Sequence, residues 1–237
     1  MEWSRSHYGD LLMQYRFTTR FGGVSQPPFD SLNLALHVGD NPLHVKKNRE
    51  LLQEDMGVSK LVFMNQIHGN KVVLIEHGDE EMPTCDAMIT EHPDIALCVM
   101  VADCIPILFY DAVHQAIGVA HAGRVGSWLN IGQKCALAMQ EAFGTHMHEL
   151  RIFMGPSIHA CCYEVGEEVI AGFEKFVHIQ DKKYFLDLQC YNHDAFLELG
   201  IKAEHIEISK ECSCTDHNYF SYRRDKTTGR FVGVIAL

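Results

Sequence analysis

The sequence predicts an α+β fold, built as a single domain over residues 1–237, and three observations support this prediction. The length of 237 residues suits one large domain with a sizeable core. Hydrophobic residues make up 47% of the chain and charged residues 22%, as in ordinary globular proteins. Strand and helix patterns are mixed without a steady βαβ alternation, which favours α+β over a doubly wound sheet.

The predicted elements of the N-terminal half surround two polar loops. A helix starts at Pro42, with Asn41 as its N-cap, and ends at Gly57. Before it, the turn-rich segment from Arg20 to Ser31 has the length and composition of a functional loop. A second polar loop, residues 65–70, separates two strands. The strands predicted here are Tyr15–Thr19, Leu61–Met64, Lys71–Ile75 and Met88–Thr90.

The C-terminal half continues with helices, strands and a final hairpin. Ser127 is predicted to cap a helix that runs to Phe143 and ends at Gly144. Two further helices are expected, from Gly166 to Phe176 and from Asp187 to Gly200. The predicted strands are Arg151–Met154, Ile206–Ile208 and the hairpin pair Asn218–Arg223 and Arg230–Ala236.

Charge and hydropathy exclude several classes of function. The net charge is -11 and no basic block occurs, which argues against binding to nucleic acids or anionic membranes. The N-terminus has no apolar signal-peptide core, and the longest apolar run, Ile95–Ala102, is too short to span a bilayer. We therefore expect a cytoplasmic protein.

Nine cysteines and fifteen histidines are high counts for a chain without an export signal. In a reducing compartment, such cysteines are buried thiols or metal ligands rather than disulfides. Cys212-Ser-Cys214 lacks the second cysteine pair of a zinc motif, and vicinal Cys161-Cys162 precedes a predicted helix. We interpret both motifs as structural.

The stretch from Ile95 to Arg124 holds three apolar runs, two of which stop at reactive residues. If Ile105–Tyr110 and Ala116–His121 form a hairpin, Cys104 and His121 meet at its open end. A four-residue loop would place Cys104 opposite His121, whereas a five-residue loop would place Ile105 there. Pro106 leaves the register open.

A thiol and an imidazole at strand ends are compatible with two chemistries. In the first, His68 from the polar loop joins Cys104 and His121 as the third ligand of a catalytic zinc site. In the second, Cys104 is a nucleophile, His121 is its base, and Asp103 or a polar loop residue orients the ring. Both chemistries require the same contact, so the hairpin does not separate them.

Arginines are the candidate anion binders, because guanidinium groups donate paired hydrogen bonds to phosphate. Arg223, within Arg223-Arg224-Asp225 and beside aromatic residues, is the strongest candidate; Arg49 and Arg124 are others. No Walker loop and no G-x-G-x-x-G motif is present, so no motif supports the binding of a nucleoside triphosphate or a dinucleotide.

A series of motifs in fixed order extends this interpretation over nearly the whole chain, which resembles the laccase-domain family, also called the peptidoglycan editing factor or multicopper polyphenol oxidase-like family. The motifs are Thr18-Thr-Arg-Phe-Gly-Gly-Val-Ser25, Ser31-Leu-Asn-Leu, His37-Val-Gly-Asp40, Asn48-Arg49, Asn65-Gln-Ile-His68-Gly69, Cys85-Asp-Ala87, Ala102-Asp-Cys-Ile-Pro106, Ala120-His-Ala-Gly123, Gly155-Pro156, Cys162-Tyr-Glu-Val-Gly166 and Phe220-Ser-Tyr-Arg-Arg-Asp225.

The resemblance implies layered mixed sheets with helices packed outside, and a metal, usually taken as zinc, bound by His68, Cys104 and His121. It also implies purine nucleoside phosphorylase activity with adenosine deaminase activity. The family commonly continues His-Ala-Gly with Trp-Arg-Gly, whereas this chain has Arg124-Val125-Gly126. The roles of that Trp-Arg pair therefore do not transfer directly.

The leading hypothesis is a zinc-dependent phosphorylase for adenosine, inosine, guanosine and methylthioadenosine that also deaminates adenosine, as a monomer or homodimer. Cys104, His121 and Asp103 are the catalytic candidates, and Arg49, Asn65 and Arg223 the candidates for substrate and phosphate contacts. One alternative is a cysteine-dependent amide hydrolase acting on cell-wall precursors. Another is a copper phenol oxidase, the activity that the family name suggests; two histidines and one cysteine suit zinc and copper alike. That oxidase needs many histidine ligands, and the chain has a single H-x-H pair, His146-Met-His148.

Overall fold

Thirteen strands and five α-helices make up the computed structural model, which describes residues 13–78 and 81–237. The strands are β1 (Gln14–Phe17), β2 (Lys60–Val62), β3 (Val72–Leu74), β4 (Ala87–Thr90), β5 (Ile95–Val101), β6 (Ile105–Asp111), β7 (Ala116–Ala122), β8 (Arg151–Met154), β9 (Glu164–Val165), β10 (Val177–Gln180), β11 (Lys183–Leu186), β12 (Ile206–Ile208) and β13 (Phe231–Ala236). The helices are α1 (Pro42–Met56), α2 (Arg124–Trp128), α3 (Ile131–Phe143), α4 (Leu188–Glu198) and α5 (Tyr222–Asp225).

The strands form two large mixed sheets and one small antiparallel sheet. The first sheet has the order β1-β13-β5-β2, and the second has the order β12-β8-β6-β7-β4-β3. Strands β10, β11 and β9 form the small sheet. Each large sheet contains both parallel and antiparallel pairs, for example β2 parallel and β13 antiparallel to β5. The α+β prediction is confirmed.

Alternation of side chains along β5 and β6 explains the layered arrangement. On β5, Leu97 and Val99 point into the core between the two large sheets, whereas Cys98 and Met100 pack on the side of α1. On β6, Leu108 also enters the core between the sheets, while the alternate residues face the side of α3 and α4. Because both faces of each sheet are covered, β5 is apolar throughout, β6 is apolar up to its last residue, Asp111, and both strands are buried along their whole length.

The predicted boundaries of α1 are confirmed, because local sequence determines them. The side chain of Asn41 accepts a hydrogen bond from the backbone N–H of Leu43, and Pro42 occupies the first helical position. Gly57 ends the helix with φ 62°, a conformation that suits glycine. Asp187 similarly caps α4 by accepting from the N–H of Cys190.

Three predicted elements are wrong. Ser127 is buried inside α2 and accepts a hydrogen bond from Asn192, and the helix that reaches Phe143 starts only after Asn130, whose φ is 61°. In place of the helix over 166–176 there are two short 3₁₀ turns. In place of the final hairpin, β13 pairs with β1 and β5, and residues 222–225 are helical.

All nine cysteines, which lie in the described part of the chain, are free thiols. Within the same part of the chain, no helix is long and apolar enough to cross a bilayer. The N-terminal stretch in which we expected no export signal includes residues 1–12, which lie outside the described residues.

Candidate active site

The side chains of His68, Cys104 and His121 converge at the carboxyl-terminal end of β7. Their ligand atoms all lie within 4.8 Å of one another, and the two imidazole rings are 4.7 Å apart between centroids. Cys104 directly precedes β6, His121 is the penultimate residue of β7, and His68 belongs to the loop between β2 and β3. The contact that both sequence hypotheses required is present.

The hairpin that joins Cys104 to His121 forms, but its register differs from both predicted alternatives. Pro106 lies opposite His121 and Ile105 lies opposite Ala122. The loop that closes the hairpin has four residues, 112–115, and the residue opposite His121 is one position further along β6 than the five-residue alternative placed it. Cys104 therefore reaches His121 diagonally across the strand pair. The position facing the thiol is Gly123, where a β-carbon would lie only 2.8 Å from the Cys104 sulfur.

Asp86 holds two of the three candidate ligands in place. Its Oδ1 lies 2.9 Å from Nδ1 of His121, which leaves Nε2 of that ring facing the cluster. Its carboxylate also accepts hydrogen bonds from the backbone N–H groups of Ile67, His68 and Gly69. These bonds stabilise the loop at His68, whose φ of 59° is unusual for a residue with a side chain.

The sequence-based role of Asp103 in orienting His121 is therefore corrected, because Asp86 occupies the ring nitrogen in question. Asp103 accepts hydrogen bonds from the hydroxyl groups of Ser213 and Ser221 and from the backbone N–H of Arg223, at 2.8, 2.7 and 2.6 Å. These donors hold its backbone at φ 96°. Asp103 thus connects the Cys104 strand end to the C-terminal segment.

The charges of the cluster favour an ionised thiol. Burial by itself raises the pKa of Cys104, but the charge of His121 and hydrogen bonds from His121 and His68 lower that pKa to about 6. Burial lowers the pKa of His121, yet the Cys104 charge and the hydrogen bond to Asp86 raise it to about 9. Hydrogen bonds from His121 and from the loop N–H groups outweigh burial at Asp86 and lower its pKa.

The donor set fits a metal ion. Two imidazoles and one thiolate form a three-ligand set of the kind found at catalytic zinc sites, where a fourth position stays open. Asp86 supplies the carboxylate partner that metal-binding histidines usually have on their second nitrogen. His68 is exposed and His121 is buried, so the cluster opens on one side only.

That open side faces a cavity of about 530 Å³, a volume within the usual range for small-molecule sites. Four basic side chains line it, together with the three candidate ligands and two tyrosines. These lining residues are Arg124, Arg223, Lys226, Arg230, Tyr163 and Tyr222. In a chain with a net charge of -11, this concentration of cations indicates an anion-binding site.

Of the predicted phosphate-binding residues, Arg223 is in the cavity, and Arg49 and Asn65 are not among the residues that line it. Arg49 donates two hydrogen bonds to the carbonyl of Leu34, and its guanidinium lies 3.8 Å from the centroid of the Phe63 ring. Asn65 is exposed and its side chain donates to the hydroxyl of Thr84. On these contacts, Arg49 and Asn65 support the structure around the site.

Sequence reasoning missed several residues of the site and of the cavity beside it. Asp86 belonged to the motif Cys85-Asp-Ala87, but the sequence did not indicate its partner. Asp86 directly precedes β4, and the pairing of β4 with β7 places it beside His121. Arg230 and Lys226 carried no local signal, because they reach the cavity through the pairing of β13 with β5. Arg124, by contrast, was a predicted anion binder; it fills the position where the family commonly has tryptophan, and it lines the cavity.

Similar proteins share this architecture over the whole length of the chain. A purine nucleoside phosphorylase of Streptomyces griseus, ORF3, is 36% identical over 233 residues, which cover 94% of each chain. The purine nucleoside phosphorylase YfiH of Escherichia coli is 35% identical and covers 93% of this chain and 92% of its own length. The crystal structure of YlmD from Geobacillus stearothermophilus matches with a TM-score of 0.91 and 28% identity, over 100% of this chain and 96% of that chain.

A family model also matches nearly the whole chain. A family model described as multi-copper polyphenol oxidoreductase laccase matches residues 14–237. That range includes every candidate ligand, Asp86 and all the basic residues of the cavity. The chain therefore belongs to the multi-copper polyphenol oxidoreductase laccase family.

Proposed function

We propose that this chain is a zinc-dependent purine nucleoside phosphorylase. The observation that carries the proposal is the joining, in one cavity, of a His68/Cys104/His121 cluster with four basic side chains. Phosphorolysis needs an anion site for phosphate beside a site for the nucleoside. The purine nucleoside phosphorylases of Streptomyces griseus and Escherichia coli support the assignment, because the chain matches both over more than nine tenths of its length.

The basic residues bind the phosphate. Arg223 is held from both sides, since its N–H donates to Asp103 and its guanidinium donates to the carbonyl of Glu164 at 3.0 Å. The same guanidinium lies over the ring of Tyr163, at 5.3 Å from the centroid. Its orientation is thereby set before phosphate arrives, which reduces the entropy lost on binding. Arg124 and Arg230 add positive charge from other elements.

The tyrosines bind the base. Tyr163 and Tyr222 both line the cavity, and aromatic faces suit the flat purine ring. In the reaction, a phosphate oxygen forms a bond to C1′ of the ribose while the bond from C1′ to the purine nitrogen breaks. The purine leaves with the electron pair, and hydrogen-bond donors in the cavity stabilise that charge.

The three ligand residues hold the zinc ion, which when bound supplies Lewis acidity beside the substrate. Cys104 binds as the thiolate that its lowered pKa already favours. Asp86 fixes the ring of His121 and the loop of His68, so that the donors are arranged in advance. We also propose that adenosine is deaminated in the same cavity, where water adds at C6 of the adenine, the C6–N bond breaks and ammonia leaves, so that inosine is the product.

The test is a product assay on protein of known metal content, with inosine, guanosine, adenosine and methylthioadenosine, with and without phosphate. We expect free base and ribose 1-phosphate (or its methylthio analogue) only with phosphate, and inosine from adenosine without it. Loss of both activities with loss of zinc in His68→Ala supports the proposal. Zinc-loaded protein that forms none of these products contradicts it.

A second candidate function is a cysteine-dependent amide hydrolase, favoured by one observation. Cys104, with a pKa of about 6, contacts His121, the arrangement of an activated nucleophile and its base. Metal analysis separates the two candidates. An active, metal-free protein that an alkylating reagent inactivates at Cys104 supports hydrolysis, whereas activity that requires stoichiometric zinc supports phosphorolysis.

The copper oxidase alternative has weaker support. A multicopper site needs several histidine ligands, but His146 and His148 do not line the cavity. In the described residues, the one other cluster suited to a metal consists of three cysteines. Metal analysis combined with a phenol-oxidation assay tests this alternative directly.

A further inference from the structure

The cysteine motifs at 161–162 and 212–214 are far apart in sequence but adjacent in the structure. The sulfur of Cys161 lies 3.6 Å from that of Cys162 and 3.7 Å from that of Cys212. Cys214 brings a further thiol into contact with that of Cys162. Interpreted separately, each motif was structural; together they place the thiols of Cys161, Cys162 and Cys212 within 4.8 Å of one another, with Cys214 beside Cys162.

We propose that this cysteine cluster, formed by Cys161, Cys162, Cys212 and Cys214, is a second metal site that takes a thiophilic ion of the Zn²⁺ class. A zinc ion with sulfur ligands at about 2.3 Å separates those sulfurs by about 3.8 Å in a tetrahedron. The two sulfur–sulfur separations in the structure, 3.6 and 3.7 Å, are close to this value. They are also far longer than the roughly 2 Å of a disulfide bond.

The backbone around the cluster is arranged as in thiolate sites. The N–H of His159 donates to the sulfur of Cys212 at 3.4 Å, and an N–H donor of this kind stabilises negative charge on sulfur. Two turns carry the thiols: Cys162 and Tyr163 donate to the carbonyl of His159, and Asp216 donates to the carbonyl of Cys212. Cys212 is buried and Cys161 is exposed, so an ion can enter from solvent and then be covered on its inner side.

The position of the cluster assigns it a function. Tyr163, directly after Cys162, lines the substrate cavity. Ser213, between Cys212 and Cys214, donates its hydroxyl to Asp103, the neighbour of Cys104. An ion that binds both turns would therefore fix the position of Tyr163 relative to Ser213 and its partner Asp103. The ion would thus act as a structural clamp between the two turns.

The test is zinc stoichiometry on reduced, full-length protein, measured by elemental analysis and by competition with a chromogenic chelator. We expect two zinc ions per chain in the native protein and one in the His68→Ala variant. Cys161→Ser in the His68→Ala background should lose the remaining ion. Cys190→Ser in the same background is the matched control, because Cys190 is an exposed cysteine outside the cluster, and it should keep one ion.

Cobalt provides a second measurement, independent of enzyme activity. In the His68→Ala variant, Co²⁺ bound to the cluster should give an intense thiolate-to-cobalt charge-transfer band, which Cys161→Ser weakens and Cys190→Ser preserves. Zinc removal should also lower the melting temperature of this variant. Retention of the second ion after Cys161→Ser overturns the proposal. So does a His68→Ala variant that binds no zinc, or an intact Cys161–Cys162 disulfide in the isolated protein.

Discussion

Nδ1 of His121 lies 2.9 Å from Oδ1 of Asp86, and both residues are buried. The same carboxylate accepts from the N–H of His68, so one acid positions two ligands that lie far apart in the sequence. Hydrogen bonds from His121 and from the loop N–H groups lower the pKa of Asp86, which keeps it ionised and able to accept.

Replacing Asp86 should therefore weaken metal binding without removing a ligand. In Asp86→Asn the affinity for Zn²⁺ is expected to fall about 10- to 100-fold, because the charge and part of the hydrogen-bonding network are lost. Competition with a chelator measures the change. Asp111→Asn is the matched control, since Asp111 is also buried and pairs with His114 at 2.8 Å, but at the opposite end of the hairpin. Equal losses in both variants would contradict this role.

The low pKa of Cys104 predicts an unusual pH dependence of alkylation. In metal-free protein, the rate at Cys104 should rise as pH increases through about 6 and then level off, because only the thiolate reacts. Cys190 lies at the surface, but partial burial and the nearby charges of Asp187 and Asp194 raise the pKa of its thiol. The alkylation rate at Cys190 should therefore still be rising above pH 9. Mass spectrometry of labelled peptides separates the two sites. Added Zn²⁺ should protect Cys104 and leave Cys190 reactive; similar profiles at both sites would refute the charge assignment.

Substitutions of the adjacent residues Arg223 and Arg224 should have different effects, the first on phosphate binding and the second on stability. Arg223→Ala removes a cavity cation, and we expect KM for phosphate to rise about 10- to 100-fold, from the loss of about 1.5–3 kcal/mol of charge-assisted hydrogen bonding. The melting temperature should change little. Phosphate-dependent initial rates and thermal unfolding measure the two effects.

Arg224→Ala is the paired variant, because Arg224 donates to the carbonyls of Ser213, Cys214 and Tyr219 instead of lining the cavity. Its loss should lower stability by about 1–3 kcal/mol, since those acceptors lose a charged donor. In folded protein, KM for phosphate should stay near the native value. The reverse pattern in the two variants would exclude the assignment of Arg223 to phosphate.

Gly123 should be intolerant of any side chain. A β-carbon at this position would lie 2.8 Å from the Cys104 sulfur and 3.3 Å from Cδ2 of His68, within the space that the metal ligands need. Gly123→Ala is expected to reduce zinc stoichiometry at the His68/Cys104/His121 site while leaving the fold intact by circular dichroism. Gly69→Ala is the control, because its nearest neighbour, Asp86, is 3.4 Å away, an ordinary contact. Full zinc occupancy in Gly123→Ala would disprove the steric argument.

Local sequence determined the elements whose boundaries depend on nearby residues. Asn41, Pro42 and Gly57 set the ends of α1, and the apolar runs after Ile95 became β5, β6 and β7. The contact of Cys104 with His121 followed from the hairpin at whose open end they lie, and the motif series identified His68 as the third member of the cluster. The helix ends, the strands and the hairpin rest on capping, periodicity and short loops, which a sequence displays directly, whereas the role of His68 was implied by the resemblance.

Tertiary structure alone decided the hairpin register, the partner of His121 and the composition of the cavity. Asp86 reaches His121 only because β4 pairs with β7, and Arg230 reaches the cavity only because β13 pairs with β5. The cluster of Cys161 with Cys212 likewise depends on two turns separated by fifty residues meeting in space. Such contacts are set by the packing of sheets and by long-range strand pairing, whose energies no local pattern encodes.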